Sequence, residues 1–226
     1  RCYFNQRQAM LNVQLFVVNM IRENCYVVSD ETDEAVIIDC GAIFQEECDC
    51  IKEYIAEKHL LLKHSLCTHG HFDHVFGTKF IYDTYGLKPE LNAADVRLYN
   101  NCGEQLRLFL GKEHEIETPP HGDYVAEGTV VKFGSHTFSV LPTPGHTPGG
   151  VSFYCEKEKV VFTGDSIFRH SIGRTDFPYG DEELLLCKLK ENIMTLPEDT
   201  KILPGHGHPT SVGEEKRENP FFTTMH

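Results

Sequence analysis

Apolar and polar positions along the chain fall into short β-rich runs, each followed by a turn or an amphipathic stretch. Residues 13–18, 25–29 and 35–39 are dense in β-branched and aromatic side chains and read as strands. Residues 46–58 carry Ile51, Tyr54 and Ile55 at helical spacing. A strand over 60–67 leads into a polar cluster, and a helix over 73–85 ends at Gly86, a residue suited to a C-cap. Two short helical patterns occupy 93–110, and the Pro- and Gly-bearing stretch 112–128 reads as a loop. Strands return at 130–133, 137–141, 150–155 and 160–163. A helix over 182–196 has Leu185, Leu189, Ile193 and Leu196 on one stripe, and a short strand follows at 201–203. This is an α/β (α+β) pattern in which two packed sheets covered by helices would bury every apolar face. Residues 1–9 read as an N-terminal arm or as residues foreign to the domain, and 10–226 as a single domain.

Composition narrows the function classes. The formal net charge of −13 repels polyanions and argues against a nucleic-acid partner. No run approaches the roughly 20 apolar residues of a membrane-spanning helix, and the first ten residues lack a signal-peptide layout, so a cytoplasmic location is expected. The nine cysteines are odd in number and form no CxxC pair, which fits a reducing compartment better than a disulfide framework. Cys48 and Cys50 are close in sequence but lie two apart on a predicted helix, where they face different ways.

The chemistry concentrates in Thr68-His69-Gly70-His71-Phe72-Asp73-His74, three histidines and an aspartate between a predicted strand and a predicted helix. Imidazole and carboxylate are the ligands a borderline cation such as zinc prefers. His69 and His71, two apart on extended backbone, can chelate one ion, while Asp73 and His74 can face a second. Packing alone does not ask for four such groups together. Three more strand ends offer ligands: His146 within Pro142-Thr143-Pro144-Gly145-His146-Thr147, Asp165 after Gly164, and His206 within Pro204-Gly205-His206-Gly207-His208. His208 reads as a bystander or a substrate-side group. His59, His64, His114, His121, His136, His170 and His226 lack such a setting.

The string His69-x-His71-x-Asp73-His74 followed by His146, Asp165 and His206 resembles the metallo-β-lactamase-fold hydrolases, over nearly the whole chain from about Leu11. The resemblance implies a four-layer αββα sandwich. It implies two divalent metal ions, zinc first, with iron or manganese as alternatives. His69, His71 and His146 would hold one ion, Asp73, His74 and His206 the other, and Asp165 would bridge. Asp39 is similar to that family's early aspartate and would orient a ligand histidine.

Within the superfamily, Thr143–Thr147 and Gly164-Asp165-Ser166 are similar to the glyoxalase II-type thioesterases. Ser171-Ile172-Gly173-Arg174-Thr175-Asp176-Phe177-Pro178 and Gly213-x5-Asn219-Pro220-Phe221 resemble short bacterial glyoxalase II-like proteins, which lack a C-terminal helical domain. The likeness implies hydrolysis of S-lactoylglutathione or another small-molecule thioester by a metal-bridging hydroxide. Asp165 and Asp73 would be the catalytic carboxylates. Arg174 and Tyr179 are substrate candidates, Arg174 equally readable as an ion pair with Asp176 or Asp181. Asp176 stands where the long enzymes carry a tyrosine, which separates this chain from their glutathione site.

A second reading is a persulfide dioxygenase of the same fold, whose Gly-Arg-Thr-Asp-Phe stretch is like residues 173–177. Its single iron would be held by His69 or its equivalent, His146 and Asp165. A non-enzymatic metal-binding module is disfavoured because no ligand position is lost, and a nuclease because of the charge. Oligomeric state is not legible.

Overall fold

A computed structural model of the chain describes residues 10–111 and 116–223. The expected N-terminal arm, Cys2, His114 and His226 lie outside the described residues.

Strands β1 (Asn12–Val18), β2 (Glu23–Ser29) and β3 (Glu34–Ile38) form an antiparallel meander. Helix α1 (Gln45–Glu57) then crosses over to β4 (Leu61–Leu66), parallel to β3. Helices α2 (Phe72–Val75) and α3 (Thr78–Tyr85) precede the short β5 (Pro89–Glu90), which closes a sheet of order β1-β2-β3-β4-β5. Helices α4 (Val96–Asn100) and α5 (Cys102–Leu110) follow. The second sheet is built from β6 (Val130–Phe133), β7 (His136–Pro142), β8 (Val151–Cys155) and β9 (Val160–Gly164). A small hairpin, β10 (Ile167–Phe168) and β11 (Ser171–Ile172), and helix α6 (Glu182–Asn192) lead to β12 (Lys201–Pro204) and β13 (Thr210–Ser211). The sheet order is β13-β12-β9-β8-β7-β6, with β12 parallel to β9. Helices α7 (Val212–Glu218) and α8 (Pro220–Thr223) end the described chain.

Period-2 alternation makes the layers. Tyr26, Val28, Val36, Ile38 and Leu66 of the first sheet meet Phe138, Val140, Phe153, Phe162 and Leu203 of the second in the central core. The intervening residues face outward. Cys25, Val27, Ala35 and Ile37 pack under Ile51 and Ile55 of α1 and Ile81 of α3. Val161 and Ile202 pack under Leu185 and Leu189 of α6 and Val212 of α7. The result is the expected αββα sandwich, with helices over the outer face of each sheet, while the edge strands β1 and β6 leave side chains such as Leu15, Val17 and Val130 exposed.

One predicted helix is broken. The stretch 73–85 is two helices, because the Gly77 N–H donates to the Cys40 carbonyl (2.7 Å) and the Asp73 carbonyl accepts from Asn19 Nδ2 (2.9 Å). The i→i−4 bond that would continue the helix is therefore replaced by two long-range bonds. A Cβ at Gly77 would lie 2.5 Å from Cys40 Sγ, so only glycine admits this approach. Gly86 is the left-handed cap of α3 as expected, its N–H donating to the Tyr82 carbonyl. The described cysteines are free; Cys48 is buried against the sheet and Cys50 is exposed, so they form no pair. Among the described residues no helix is long and apolar enough to cross a membrane.

Buried Asp30, in the turn after β2, pins the two sheets together at one edge. It accepts from Thr32 N (2.9 Å), Ser135 N (2.6 Å) and His136 Nδ1 (3.0 Å), the last two in the β6–β7 hairpin. Burial raises its pKa, but the bonds from Thr32, His136 and Ser135 outweigh burial and hold it at about 2, against an ordinary 3.8. A depressed carboxylate contributes stability that is complete above its unfolded pKa and is lost as pH falls through the folded one. Asp30→Ala should lower stability at neutral pH by about 1–3 kcal/mol. It should also remove part of the acid sensitivity between 3.8 and about 2, as read from denaturant midpoints across that window; a pH profile parallel to that of the unmodified protein would contradict this role.

Candidate metal centre

The directions of the strands dictate where the site forms. β3 and β4 run parallel, and so do β9 and β12; β7 shares their sense through the antiparallel β8. Their C-terminal ends therefore emerge at one rim of the sandwich. β3 delivers Asp39, β4 the 69–74 loop, β7 the loop with His146, β9 Asp165 and β12 His206. One cross-sheet bond, Val151 N to Thr68 O (2.9 Å), and one between the ends of β12 and β9, Gly205 N to Gly164 O (2.8 Å), close the rim.

Seven side chains meet there. Ligand atoms of His69, His71 and His146 lie within 4.8 Å of one another, and so do those of Asp73, His74 and His206. Asp165 sits between the two sets. Its Oδ1 is 3.3 Å from His74 Nε2, and its Oδ2 is 3.7 Å from both His146 Nε2 and His206 Nε2. Tetrahedral coordination with bonds of about 2.1 Å places ligand atoms roughly 3.4 Å apart, close to these spacings.

Hydrogen bonds behind the rings decide which atoms face inward. Asp39 accepts from Thr68 N (2.7 Å), Thr68 Oγ1 (2.7 Å) and His74 Nδ1 (3.0 Å). Having given its proton to Asp39, Thr68 Oγ1 accepts from His69 Nδ1 (3.0 Å). His146 Nδ1 donates to the Arg174 carbonyl (2.6 Å). In neutral rings these bonds leave the Nε2 lone pairs of His69, His74 and His146 pointing into the site. His69 Nε2, His74 Nε2 and Asp165 Oδ1 are buried without a hydrogen-bond partner. A buried cluster of lone pairs short of protons fits cations, and the imidazole and carboxylate donors fit a zinc-like ion.

The electrostatics agree. Burial, reinforced by neighbouring histidines, pushes His69 well below the usual histidine range. Burial and His146 push His71 down to about 3. Burial also works against a charge on His74, but Asp73, Asp165 and Asp39 outweigh it and raise its pKa. Three carboxylates gathered around one buried ring favour positive charge in the site.

A cleft of about 460 Å3 opens over His71, Asp73, His146, Asp165 and His206, walled by Ile21, Phe72, Phe168, Phe177 and Arg174. Arg174 is exposed, forms a bidentate pair with Asp176 (2.9 and 2.7 Å) and lies 4.2 Å from the Phe177 ring centroid. Tyr179 is exposed, carries Arg97 at 5.5 Å over its ring and does not line this cleft. His208 is exposed.

Several residues of the site carried no sequence signal. Asn19, Asn24 and Asp95 are buried singly and bond to loop backbones of the centre. Glu23 is fully buried 3.7 Å from His74 Nδ1, its oxygens unpartnered and its pKa raised by burial. Gly205 is required by close approach: a Cβ there would overlap Asp165 Oδ1 and come 2.6 Å from His74 Cε1.

Fold and site together define a metal-dependent hydrolase class. The metallo-beta-lactamase superfamily model matches residues 20–206, and the chain belongs to that superfamily. It is 36% identical over 215 residues to hydroxyacylglutathione hydrolase GloC of Haemophilus influenzae, covering 95% of this chain and 99% of the relative. Among solved structures, the BLEG-1 B3 metallo-beta-lactamase matches at a TM-score of 0.85 and 34% identity, over 95% of this chain and all of that one. TTHA1623, solved in a di-iron-bound form, matches at 0.81 and 34%, over 92% of this chain and 100% of its own.

Gly205→Ala should leave far-ultraviolet circular dichroism native and weaken divalent-metal binding about tenfold or more, by displacing Asp165 and His74. Unchanged affinity in a metal titration would contradict the tight approach.

Proposed function

We propose that this chain is a dinuclear thioester hydrolase of the glyoxalase II type, acting on S-lactoylglutathione or a related S-acyl thiol. Its likeness to GloC along nearly the full length of both chains supports this reading. The observation that carries it is Asp165, a carboxylate whose two oxygens reach toward both donor sets. In this reading His69, His71 and His146 would hold one divalent ion and Asp73, His74 and His206 the other, with Asp165 available to both. Zinc suits the donors, and the di-iron form of TTHA1623 keeps iron as the alternative. Bound in such a cage, two cations supply a water of lowered pKa and an electrophile for the carbonyl oxygen.

The protein's own groups do the rest. Asp73 faces the cleft beside His206 (Oδ2 to Nε2, 3.0 Å) and is placed to accept a proton released there. Phe168 and Phe177 shield the reacting carbonyl from water. The thiolate of a thioester leaves without a strong acid, which fits a cleft whose carboxylates, Asp73 and Asp165, are both held below their ordinary pKa. Burial opposes their charge, and His74 chiefly outweighs it. Arg174, at the cleft wall, offers its guanidinium to a substrate carboxylate by exchanging out of its exposed pair with Asp176. Eight free thiols among the described residues fit work in a reducing cytoplasm.

The purified protein should contain two divalent ions per chain and hydrolyse S-lactoylglutathione, and His71→Ala should reduce turnover to background with native circular dichroism. A single iron with oxygen uptake on glutathione persulfide would replace this reading with the dioxygenase, and preferential opening of a chromogenic cephalosporin would replace it with a lactamase. Arg174→Ala should raise KM for the glutathione thioester several-fold with kcat little changed; an equal loss in kcat would move Arg174 from binding to chemistry.

A further inference from the structure

The β1–β2 turn is flanked by two buried asparagines, and each spends both amide protons on loops of the centre. Asn19 Nδ2 donates to the carbonyls of Asp73 (2.9 Å) and Gly41 (3.0 Å). Asn24 Nδ2 donates to the carbonyls of Pro204 and Gly207 (3.0 Å each), and its backbone N–H donates to Gly205 (2.7 Å). One residue thus takes three carbonyls of the tight loop that carries His206. Tyr26 Oη adds a fourth bond, to Pro204 (2.7 Å). Asp73 and His206 belong to the same donor set.

The other set has its own anchor. Asp95, fully buried before α4, accepts from Gly70 N (2.9 Å), Thr147 Oγ1 (2.7 Å) and Gly149 N (2.6 Å). Gly70 lies between His69 and His71, and Thr147 follows His146. A Cβ at Gly149 would come 2.7 Å from Asp95 Cγ, so the loop is drawn in as far as its backbone allows. Asp39, by contrast, bonds to both halves, through His74 and through Thr68 to His69.

We propose that the two halves of the centre are positioned by separate buried clamps. The β1–β2 hairpin, through Asn19 and Asn24, holds the Asp73–His74–His206 half, and Asp95 holds the His69–His71–His146 half. This rests on the two-cation reading above. Neither clamp touches a cation or a substrate; each acts by fixing the backbone from which ligands project. The two binding constants can then be tuned one at a time.

The test is a zinc titration of the chelator-stripped full chain against a chromophoric competitor, with far-ultraviolet circular dichroism and denaturant midpoints of the stripped proteins as fold controls. The unmodified protein should bind two equivalents. Asn24→Asp, which keeps the shape but faces carbonyls with a carboxylate, should weaken one equivalent about 10–100-fold and leave the other unchanged. Asn24→Ala and Asn19→Ala serve as milder forms if the acidic variant does not fold. Asp95→Asn should weaken the other equivalent. The halves are told apart in single-site backgrounds: with His206→Ala, where the His69–His71–His146 half remains, the asparagine variants should do nothing and Asp95→Asn should still act; with His69→Ala the pattern should reverse. Both constants falling together in any folded variant, or neither moving, overturns the proposal, as does a single equivalent in the unmodified protein. Two equivalents without thioesterase activity would defeat the functional reading and leave this one standing.

Discussion

Everything at the rim follows from a shortage of protons in a buried place. Asp39, Thr68 and the Arg174 carbonyl take the outer nitrogens of three histidine rings and turn their inner lone pairs toward one another. Asp73 and Asp165 add carboxylate oxygens to the same space. Such an arrangement is costly unless positive charge fills it, since an unmet buried acceptor costs about 1–3 kcal/mol and a carboxylate more. The three carboxylates around His74, which raise its pKa against burial, express the same demand for positive charge. Two divalent cations, one to each donor set, would answer that demand.

The sandwich exists to hold that demand in place. Parallel strand pairs from each sheet end at one rim, so short loops converge without long excursions. Loops with left-handed or tightly packed glycines permit it: Gly164 has φ +49°, and Gly205 presses against Asp165 and His74. The apolar walls of the cleft, Phe168 and Phe177, then lower the local dielectric and sharpen every charge below them.

Much of this was legible in the sequence, and the reasons differ by element. Strands such as β3 and β9 are short apolar runs buried on both faces, and helix α6 buries Leu185 and Leu189 on one stripe, so local pattern sufficed. The donor cluster was legible because four ligand-type residues in six positions have no packing explanation. The break at Gly77 was not, because it depends on Cys40 and Asn19, residues far along the chain. Asn24 and Asp95 escaped for the same reason: a lone polar residue shows its role only when its partners, such as Pro204 or Thr147, come into view. Tyr179, a substrate candidate in the sequence, is exposed and does not line the cleft.

The central claim is that the seven groups close on two cations. Anomalous diffraction from crystals of the zinc-loaded protein tests it most directly. The account predicts two peaks, one bonded to His69, His71 and His146, the other to Asp73, His74 and His206, with Asp165 touching both. A single peak, or two peaks that leave any of the seven outside bonding distance, would contradict it.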